Sequence, residues 1–270
     1  MEVSSEQANN IETMTIKNMS AGHYDVRLAR NEDEVRAAQK LRYEILFKNN
    51  GGRISEAMLD TQREEDEWDG IAYHVIVVDT KDDDLVVGTV RLVSDMALKQ
   101  GQSFYTEQAF NIARLRSNYS HIIELSRACV SPSQRGGVVL MLMWKFTIQF
   151  VKQNHYEMMF GCVSFLGTDY REHAEVLSYL YEKHAVPPEL MPSPRANADS
   201  VAISEFCTTI ECYDGHECRS KIPTLLRGYL KVGARISEHA IVDPVFNTTF
   251  VAVYVDVNEM LKANHLLVNK

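Results

Sequence analysis

The sequence lacks the features that mark membrane-spanning, secreted and nucleic-acid-binding proteins. Its 270 residues contain no run of about 18 apolar residues, so no membrane-spanning helix is predicted. The first 20 residues show no basic segment followed by an apolar one, so no secretory signal is expected. Acidic residues outnumber basic ones by 37 to 28, which argues against general binding to nucleic acid. A local basic patch for an acidic partner remains compatible with this balance.

Cysteine is scarce, with five irregularly spaced residues. In a chain without a secretory signal, this pattern predicts reduced thiols and a cytoplasmic protein. Cys207, Cys212, His216 and Cys218 form a C-x4-C-x3-H-x-C cluster of soft ligands. Zinc sites usually contain closely spaced C-x2-C pairs, so we expect ordinary thiols here and no metal.

The length fits one domain with appendages. We predict a polar, disordered leader over 1–22, a single domain over 23–257, and a C-terminal tail over 258–270. The domain contains a Pro-rich, loop-rich insertion over 186–220.

The hydrophobic pattern predicts seven strands and five helices. Strands are expected at 23–30, 72–79, 85–93, 121–130, 156–165, 234–240 and 248–257, and helices at 32–47, 107–115, 135–153, 170–184 and 223–232. Asn31 should cap the first helix, with Glu34 three residues later. This order favours an α+β or α/β fold around one mixed sheet.

The segment ELSRACVSPSQRGGVVLMLMWKF runs from a strand into an apolar helix. Arg135, Gly136 and Gly137 precede this helix, whose N-terminal N–H groups could bind a phosphate. The segment resembles the pantetheine-phosphate site of the Gcn5-related acyltransferase (GNAT) fold, although Val138 and Leu140 replace later glycines of that loop. Their loss favours a carrier-bound pantetheine over the pyrophosphate of coenzyme A. The alternative is an ordinary strand–turn–helix with a basic residue at the cap.

Further segments resemble the ornithine N-acyltransferase family and, more distantly, acyl-homoserine lactone synthases and N-acyl amino acid synthases. They include LRYEIL, DEWDGIAYHVIVVD, VVGTVRLV, FYTEQAFNI, ELSRACVSP, GCVSFLGTD and LLRGYLKVGA with IVDPVFNTT. The resemblance implies a three-layer α+β GNAT fold, with helices flanking a mixed sheet of about seven strands. It also implies transfer of a (3-hydroxy)acyl chain from acyl carrier protein to the α-amine of an amino acid, with ornithine as the expected acceptor. Another acceptor such as glycine, or a non-catalytic acyl- or membrane-binding protein, is the alternative.

The resemblance also implies roles for individual residues. Glu124 and Arg127 match a catalytic Glu-x-x-Arg pair that handles the acceptor's proton and position. Residues expected to bind the acceptor are Arg42, Asp66, Asp69, His74 and Arg91. Residues expected to bind the acyl donor are Cys129, Val130, Arg135, Gly136 and Gly137.

The chemistry fits these residue types. The attacking amine is protonated at neutral pH, so a carboxylate must remove a proton, and we favour Glu124 over Asp66 or Asp69. The oxyanion needs preorganised donors, for which we expect backbone N–H groups near 128–130. Glu124 and Arg127 lie three apart on one strand, so a shared role requires a bulge. A covalent intermediate on Cys129 is not expected, because no histidine is paired with it.

We expect no cofactor beyond the phosphopantetheine arm of the acyl carrier protein. A basic patch around Arg135, with Lys145, Lys152 and Arg171, is predicted to dock that acidic carrier. The protein should be cytoplasmic, with peripheral inner-membrane contact through exposed apolar residues of the 186–200 loop.

Overall fold

A computed structural model describes residues 16–134, 137–206 and 215–263, and its centre is a nine-stranded mixed sheet. The strands are β1 Met19–Ala21, β2 Tyr24–Leu28, β3 Tyr73–Asp79, β4 Leu85–Ser94, β5 Phe110–Asn111, β6 Ile122–Val130, β7 Met158–Leu166, β8 Ser193–Pro194, β9 Ser200–Ala202, β10 Arg235–Asp243 and β11 Thr248–Asp256. The sheet order is β1-β2-β3-β4-β6-β7-β11-β10-β9, and β5 pairs separately with β8. Within the sheet β6 and β7 are parallel, and the other neighbours are antiparallel.

Helices cover both faces of the sheet. They are α1 Glu32–Arg42, α2 Glu56–Thr61, α3 Ala113–Asn118, α4 Val138–Gln153, α5 Ala174–His184, α6 Ile203–Phe206, α7 Gly215–Lys221, α8 Thr224–Lys231 and α9 Val257–Ala263. Along β3, Val75 and Val77 pack in one core with α4, whereas Ile76 and Val78 pack in another with Ala38 of α1. Because successive side chains of a strand point to opposite faces, α1 and α4 lie on opposite sides. The three-layer α+β prediction is confirmed.

The strand count was predicted too low. The seven predicted strands are all present, and β1 and β9 extend the sheet at its two edges. Each of these edge strands has three residues, too few to show an alternating pattern. As β1 lies in 19–21, the predicted disordered leader was wrong for those residues, and α9 likewise occupies the start of the predicted tail.

The first helix begins as predicted. The side chain of Asn31 accepts a 3.0 Å hydrogen bond from the Glu34 N–H, which confirms the cap. After Arg42 the chain continues as a π-helix over Tyr43–Asn49. π-Helical turns are rare and occur often at functional sites, and this one reaches the cavity described below.

The predicted short helix over 107–115 was wrong. The chain there forms a 3₁₀ turn, Tyr105–Gln108, then β5, then α3. Two tertiary interactions interrupt the helix. The Glu124 carboxylate binds N–H groups of the turn, and β5 pairs with β8. Local periodicity contains neither interaction.

The insertion over 186–220 contains only short elements where it is described. Of its apolar residues, Val186 is 1% exposed and Leu190 and Met191 pack against a buried cluster around Phe104 and Phe110, whereas Pro187, Pro188 and Ala196 are exposed. Contact of this loop with a membrane stays a prediction. Within the described ranges, no helix is long and apolar enough to cross a membrane.

Candidate active site

The central parallel strand pair opens halfway along its length. β6 and β7 pair with each other from Ile122 with Met158 to Leu125 with Gly161. Both strands continue beyond that point, but they no longer pair with each other. A Cβ atom on Gly161 would lie 2.1 Å from the Leu125 carbonyl oxygen, so only glycine permits this close approach. The two strands therefore meet tightly and then separate, leaving a gap in the sheet.

A β-bulge on the other edge of β6 accompanies the gap. Thr89 of β4 pairs with Cys129, whereas Arg91 pairs with Ser126, so β6 has one extra residue here. Arg127 lies in this bulge with φ of 56°, a left-handed conformation that is uncommon for a residue with a side chain. The bulge required by the sequence argument is present.

A cavity of about 450 Å³ occupies the gap between the separated strands. Its walls are mainly apolar and include Leu46 of the π-helix, Leu140 and Met143 of α4, and Tyr229 of α8. Arg127 contributes a cation to the wall. This mixture of apolar walls and few polar groups is typical of a small-molecule site.

Residues predicted to bind the acyl donor line this cavity where they are described. Cys129, Val130 and Gly137 all contribute to its wall, whereas Arg135 and Gly136 lie outside the described residues. Gly137 has φ of 90° and directly precedes α4, so the N-terminus of a 16-residue helix opens at the cavity.

The backbone of β6 also presents a donor to the gap. The Ser131 N–H donates to the Val87 carbonyl oxygen at 2.8 Å, on the β4 side. Because backbone groups alternate between the two edges of a strand, the Val130 N–H points to the opposite edge. Pairing with β7 has already ended there. This N–H is in the region where the sequence predicted oxyanion donors.

Three arginines and three carboxylates form a closed ring of ion pairs beside the cavity, which we call the charge ring. Its members, in order, are Arg42, Asp69, Arg91, Asp66, Arg127 and Glu64. Arg127 donates from Nε to Glu64 and from Nη2 to Asp66, both at 2.9 Å. Arg42 lies 2.5 Å from Glu64, through Nε and Oε2, and 2.7 Å from Asp69, through Nη2 and Oδ2. Each member therefore contacts two members of opposite charge.

Two arginines of the charge ring are fully buried, and one of its carboxylates has a lowered pKa. Arg91 is 0% exposed and Arg42 is 0% exposed. Burial alone would raise the pKa of Asp69, but hydrogen bonds and charges from Arg42 and Arg91 hold that pKa well below its usual range. Burial lowers the pKa of His74, whose Nε2 lies 3.0 Å from the Asp69 carbonyl oxygen, so His74 is neutral and donates there at pH 7.

The residues predicted to bind the acceptor are thus brought together, but they bind one another. Of the predicted acceptor-binding and catalytic residues, only Arg127 lines the cavity. Arg42, Asp66, Asp69 and Arg91 have their charges matched within the ring, and His74 contacts the ring's backbone. Their direct contact with an acceptor stays a prediction.

Arg127 contacts two aromatic rings as well as two carboxylates of the charge ring. Its Cζ lies 4.2 Å from the ring centroid of Tyr105 and 4.8 Å from that of Phe246. These stacking contacts and the two ion pairs fix the guanidinium in the bulge. The resemblance implied that Arg127 positions the acceptor, and two of its nitrogens are already occupied by the charge ring.

Glu124 lies behind the cavity wall. Its carboxylate is fully buried and accepts the N–H groups of Tyr105 at 3.0 Å and Thr106 at 2.6 Å, while the Thr106 hydroxyl lies 3.6 Å from Cys162 Sγ. Burial raises the pKa of Glu124, although these hydrogen bonds oppose the increase. Thr106 lines the cavity and Glu124 does not. Tyr105 and Thr106, whose N–H groups bind the carboxylate, both line the cavity and so connect Glu124 to it.

The thiols at the site are poor nucleophiles. Cys129 and Cys162 both line the cavity, and burial raises the pKa of each to about 12. A thiolate is the reactive form, so neither is activated. No group of three potential metal ligands occurs in the described part of the chain. The side chains of Cys207, Cys212 and His216 fall outside it, whereas Cys218 is buried.

Sequence reasoning missed three residues of the site. Glu64 completes the charge ring, Thr106 connects Glu124 to the cavity, and Asp243 is the acidic residue on the cavity wall. Each lies in a segment already singled out: the acidic stretch, FYTEQAFNI, and IVDPVFNTT. Asp243 lies between Val242 and Pro244, and its polarity beside apolar neighbours was the available signal, whereas Glu64 is surrounded by charged residues in the sequence.

Comparison with known proteins places these features in a family context. Residues 41–145 match the acetyltransferase (GNAT) domain family. The chain is 32% identical over 242 residues to an L-ornithine N(alpha)-acyltransferase of Rhodobacter capsulatus, covering 88% of this chain and 91% of the relative. It is 30% identical to one of Agrobacterium fabrum, covering 88% and 83%. An N-acyl amino acid synthase structure from uncultured soil microbes aligns with 12% identity over 90% and 96% of the two chains, with a TM-score of 0.45.

Proposed function

Because the chain belongs to the L-ornithine N(alpha)-acyltransferase family, we propose that it transfers a fatty acyl chain from acyl carrier protein to the α-amine of ornithine. The chain is an acyltransferase, and the acceptor and the donor are the proposed parts. The observation that carries the proposal is the cavity at the gap between β6 and β7, where a pantetheine arm and an acyl chain can reach a donor N–H.

The Val130 N–H is the group beside the cavity that supports thioester chemistry in this proposal. In the proposed reaction the neutral amine attacks the thioester carbonyl carbon, and the oxyanion that forms is bound by the Val130 N–H. The C–S bond then breaks, and the pantetheine sulfur leaves with a proton. The apolar walls formed by Leu140, Met143 and Tyr229 suit a hydrocarbon chain, because its burial there removes apolar surface from water.

The amine must lose a proton, and we propose that Glu124 receives it through the Thr106 hydroxyl. The Thr106 N–H bonds the carboxylate, and the hydroxyl of the same residue belongs to the cavity wall, so in this proposal the hydroxyl accepts a proton from the amine and passes one to Glu124. The raised pKa of Glu124 suits a general base, because efficient bases have pKa values near the working pH.

We further propose that the carrier protein docks near the start of α4. Lys145 and Lys152 are exposed on this helix, and Arg135 lies three residues before its first residue, outside the described residues. Arg135→Glu should raise the Michaelis constant for acyl carrier protein at low ionic strength, and the effect should fade with salt. Lys99→Glu is the matched control. It makes the same change of charge, and Lys99 follows the C-terminal end of β4, at the opposite end of that strand from the proposed docking site. An unchanged constant in Arg135→Glu would refute this docking site.

The test of the function is a product assay. Purified protein is incubated with 3-hydroxyacyl carrier protein and, separately, each proteinogenic amino acid or ornithine, and the products are weighed. We expect Nα-acylornithine and free carrier thiol. Acyl-coenzyme A serves as the comparison donor, and better turnover with it would overturn the carrier proposal. Absence of acylated ornithine would overturn the acceptor proposal.

The location follows from the product. An acylated amino acid is amphiphilic, so we propose that the protein works in the cytoplasm with peripheral contact at the inner membrane. The exposed apolar side chains Val138 and Met141 lie at the start of α4, at 40% and 42% exposure. Absence of binding to anionic liposomes at low salt would remove the membrane contact.

A further inference from the structure

Asp243 stands out because its charge is unmatched in a site where other charges are paired. It is the one acidic residue on the wall of the 450 Å³ cavity within the described part of the chain. Glu64, Asp66 and Asp69 are neutralised in the charge ring. No lysine, arginine or histidine of the described residues lies within ion-pair distance of Asp243.

The carboxylate is oriented by its own turn. Asp243 Oδ1 accepts the N–H of Val245 at 2.8 Å and the N–H of Phe246 at 3.1 Å. Oδ2 has no hydrogen-bond partner among the described residues. One oxygen thus fixes the side chain, and the other is left for a ligand.

A second polar group lies opposite. Asp243 of β10 and Thr248 of β11 are direct cross-strand partners, and both line the cavity. Directly opposed residues of an antiparallel pair have their side chains on the same face. Thr248 is 6% exposed, and its hydroxyl oxygen has no hydrogen-bond partner in the described part of the protein. A buried hydroxyl without a partner is costly, and a ligand that donates a hydrogen bond would satisfy it.

Asp243 also stands where two cavities meet. A smaller cavity of about 280 Å³ shares Tyr105, Thr106, Cys162, Asp243 and Phe250 with the larger one. Its wall adds polar and acidic groups, Asn197 and Asp199, and no lysine or arginine among the described residues. The apolar half of the site therefore suits the acyl chain, and the half around Asp243 suits a polar, positively charged group.

We propose that Asp243, together with Thr248, binds the side-chain ammonium group of the acceptor and thereby selects a diamino acid over a neutral amino acid. The ammonium donates one hydrogen bond to Asp243 Oδ2 and another to the Thr248 hydroxyl. This leaves the α-amine of the same molecule at the thioester, beside Thr106. The inference rests on the proposed function and names the group that recognises the acceptor's second amine.

The test compares ornithine with norvaline, which has the same carbon chain and α-amine but lacks the side-chain amine. The measured quantity is the ratio of kcat/KM for the two acceptors with acyl carrier protein as donor. The wild type should prefer ornithine. Asp243→Asn should lower the ratio by about 10- to 100-fold, chiefly through a higher KM for ornithine. Asparagine keeps an oxygen for the Val245 and Phe246 N–H groups, so the turn is retained.

Two further variants complete the design. Thr248→Val should lower the ratio by about 3- to 10-fold, and it decides the matter if Asp243→Asn does not fold by circular dichroism. Asp82→Asn is the matched control, because it removes the same charge from an exposed turn with β6, β7 and β11 between it and β10. Its ratio should equal that of the wild type.

The outcomes separate the inference from the function on which it rests. An unchanged ratio in Asp243→Asn and Thr248→Val would overturn the inference. An equal loss for both acceptors would also overturn it, because Asp243 would then act on the shared α-amine or on the fold. A wild type that acylates norvaline as well as ornithine leaves the acyltransferase function standing and removes the selectivity. If no amino acid is acylated, the proposed function itself fails, and the inference fails with it.

Discussion

The relay from the cavity to Glu124 is the step of the proposed mechanism that mutation tests most directly. The perturbation is Glu124→Gln, which removes the base and keeps the size of the side chain. We expect kcat at pH 7 to fall by about 10²–10⁴-fold, with little change in the KM for ornithine. This fall in kcat should shrink about tenfold for each pH unit, because the fraction of neutral α-amine in solution grows by that factor as pH rises.

The structure also predicts a stability cost for the same change. Glu124 accepts two backbone N–H groups, from Tyr105 and Thr106. Glutamine has one acceptor oxygen, and its amide nitrogen would face the second N–H. Leaving this buried donor unpaired should lower the free energy of unfolding by about 1–3 kcal/mol. Denaturant unfolding measures this effect separately from kcat.

Two companion variants identify the origin of any loss in rate. Glu157→Gln is the matched control, because Glu157 also accepts two successive backbone N–H groups, from Ser120 and His121, and does not line the cavity. Both N–H groups donate to Oε2, and the amide oxygen of glutamine can replace it, so this variant should change stability little and leave kcat intact. Thr106→Val keeps the carboxylate and removes the hydroxyl, so it should lower kcat in the same range as Glu124→Gln.

Near-normal kcat in Glu124→Gln at pH 7 would refute Glu124 as the base. A slow Glu124→Gln beside a normal Thr106→Val would refute the relay and require another path for the proton. A slow Glu124→Gln that does not recover at high pH would show that the loss comes from a distorted 105–106 turn.

Three further predictions concern the framework of the site. Glu64→Gln should lower the free energy of unfolding, measured in denaturant, by about 3–5 kcal/mol, because it leaves two buried arginines short of a carboxylate. Glu65→Gln, at an exposed neighbouring position, should change this free energy by less than about 0.5 kcal/mol. Equal effects of the two substitutions would contradict the charge ring. Gly161→Ala should lower Tm and kcat together, because its Cβ would lie 2.1 Å from the Leu125 carbonyl oxygen; an unchanged Tm would contradict this close approach. The folded-state pKa of Asp69 lies below its unfolded value, so its contribution to stability is present above about pH 4 and is lost as pH falls further; Asp69→Asn should flatten the acid limb of the stability curve, and an unaltered limb would contradict the shift.

The sheet could be predicted from the sequence because its strands have clear local patterns. The runs at 72–79 and 85–93 are apolar on both faces, as expected for strands covered by helices on each side. The cap at Asn31 and the apolar helix α4 follow from equally local signals. Edge strands of three residues contain no such signal and were missed.

The candidate site could be predicted only in part. The resemblance brought out Arg42, Asp66, Asp69 and Arg91, but their pairing depends on where the 64–69 segment lies over β4 and β6, which the sequence does not specify. For the same reason it could not show that Glu124 faces a turn and not the cavity. A sequence motif identifies the residues, whereas the direction in which each side chain points depends on tertiary contacts.

The bulge at Arg127 explains why so many charges lie beside a site that uses few of them. A non-glycine residue in a left-handed conformation costs about 1–3 kcal/mol, so surrounding contacts must hold it. Two ion pairs of the charge ring and two aromatic faces provide that restraint. The bulge in turn sets the register of 128–130, the stretch that contains the proposed oxyanion donor. Because three arginines balance three carboxylates, the charges of the ring cancel, and in our proposal the unpaired carboxylate of Asp243 recognises the charged acceptor.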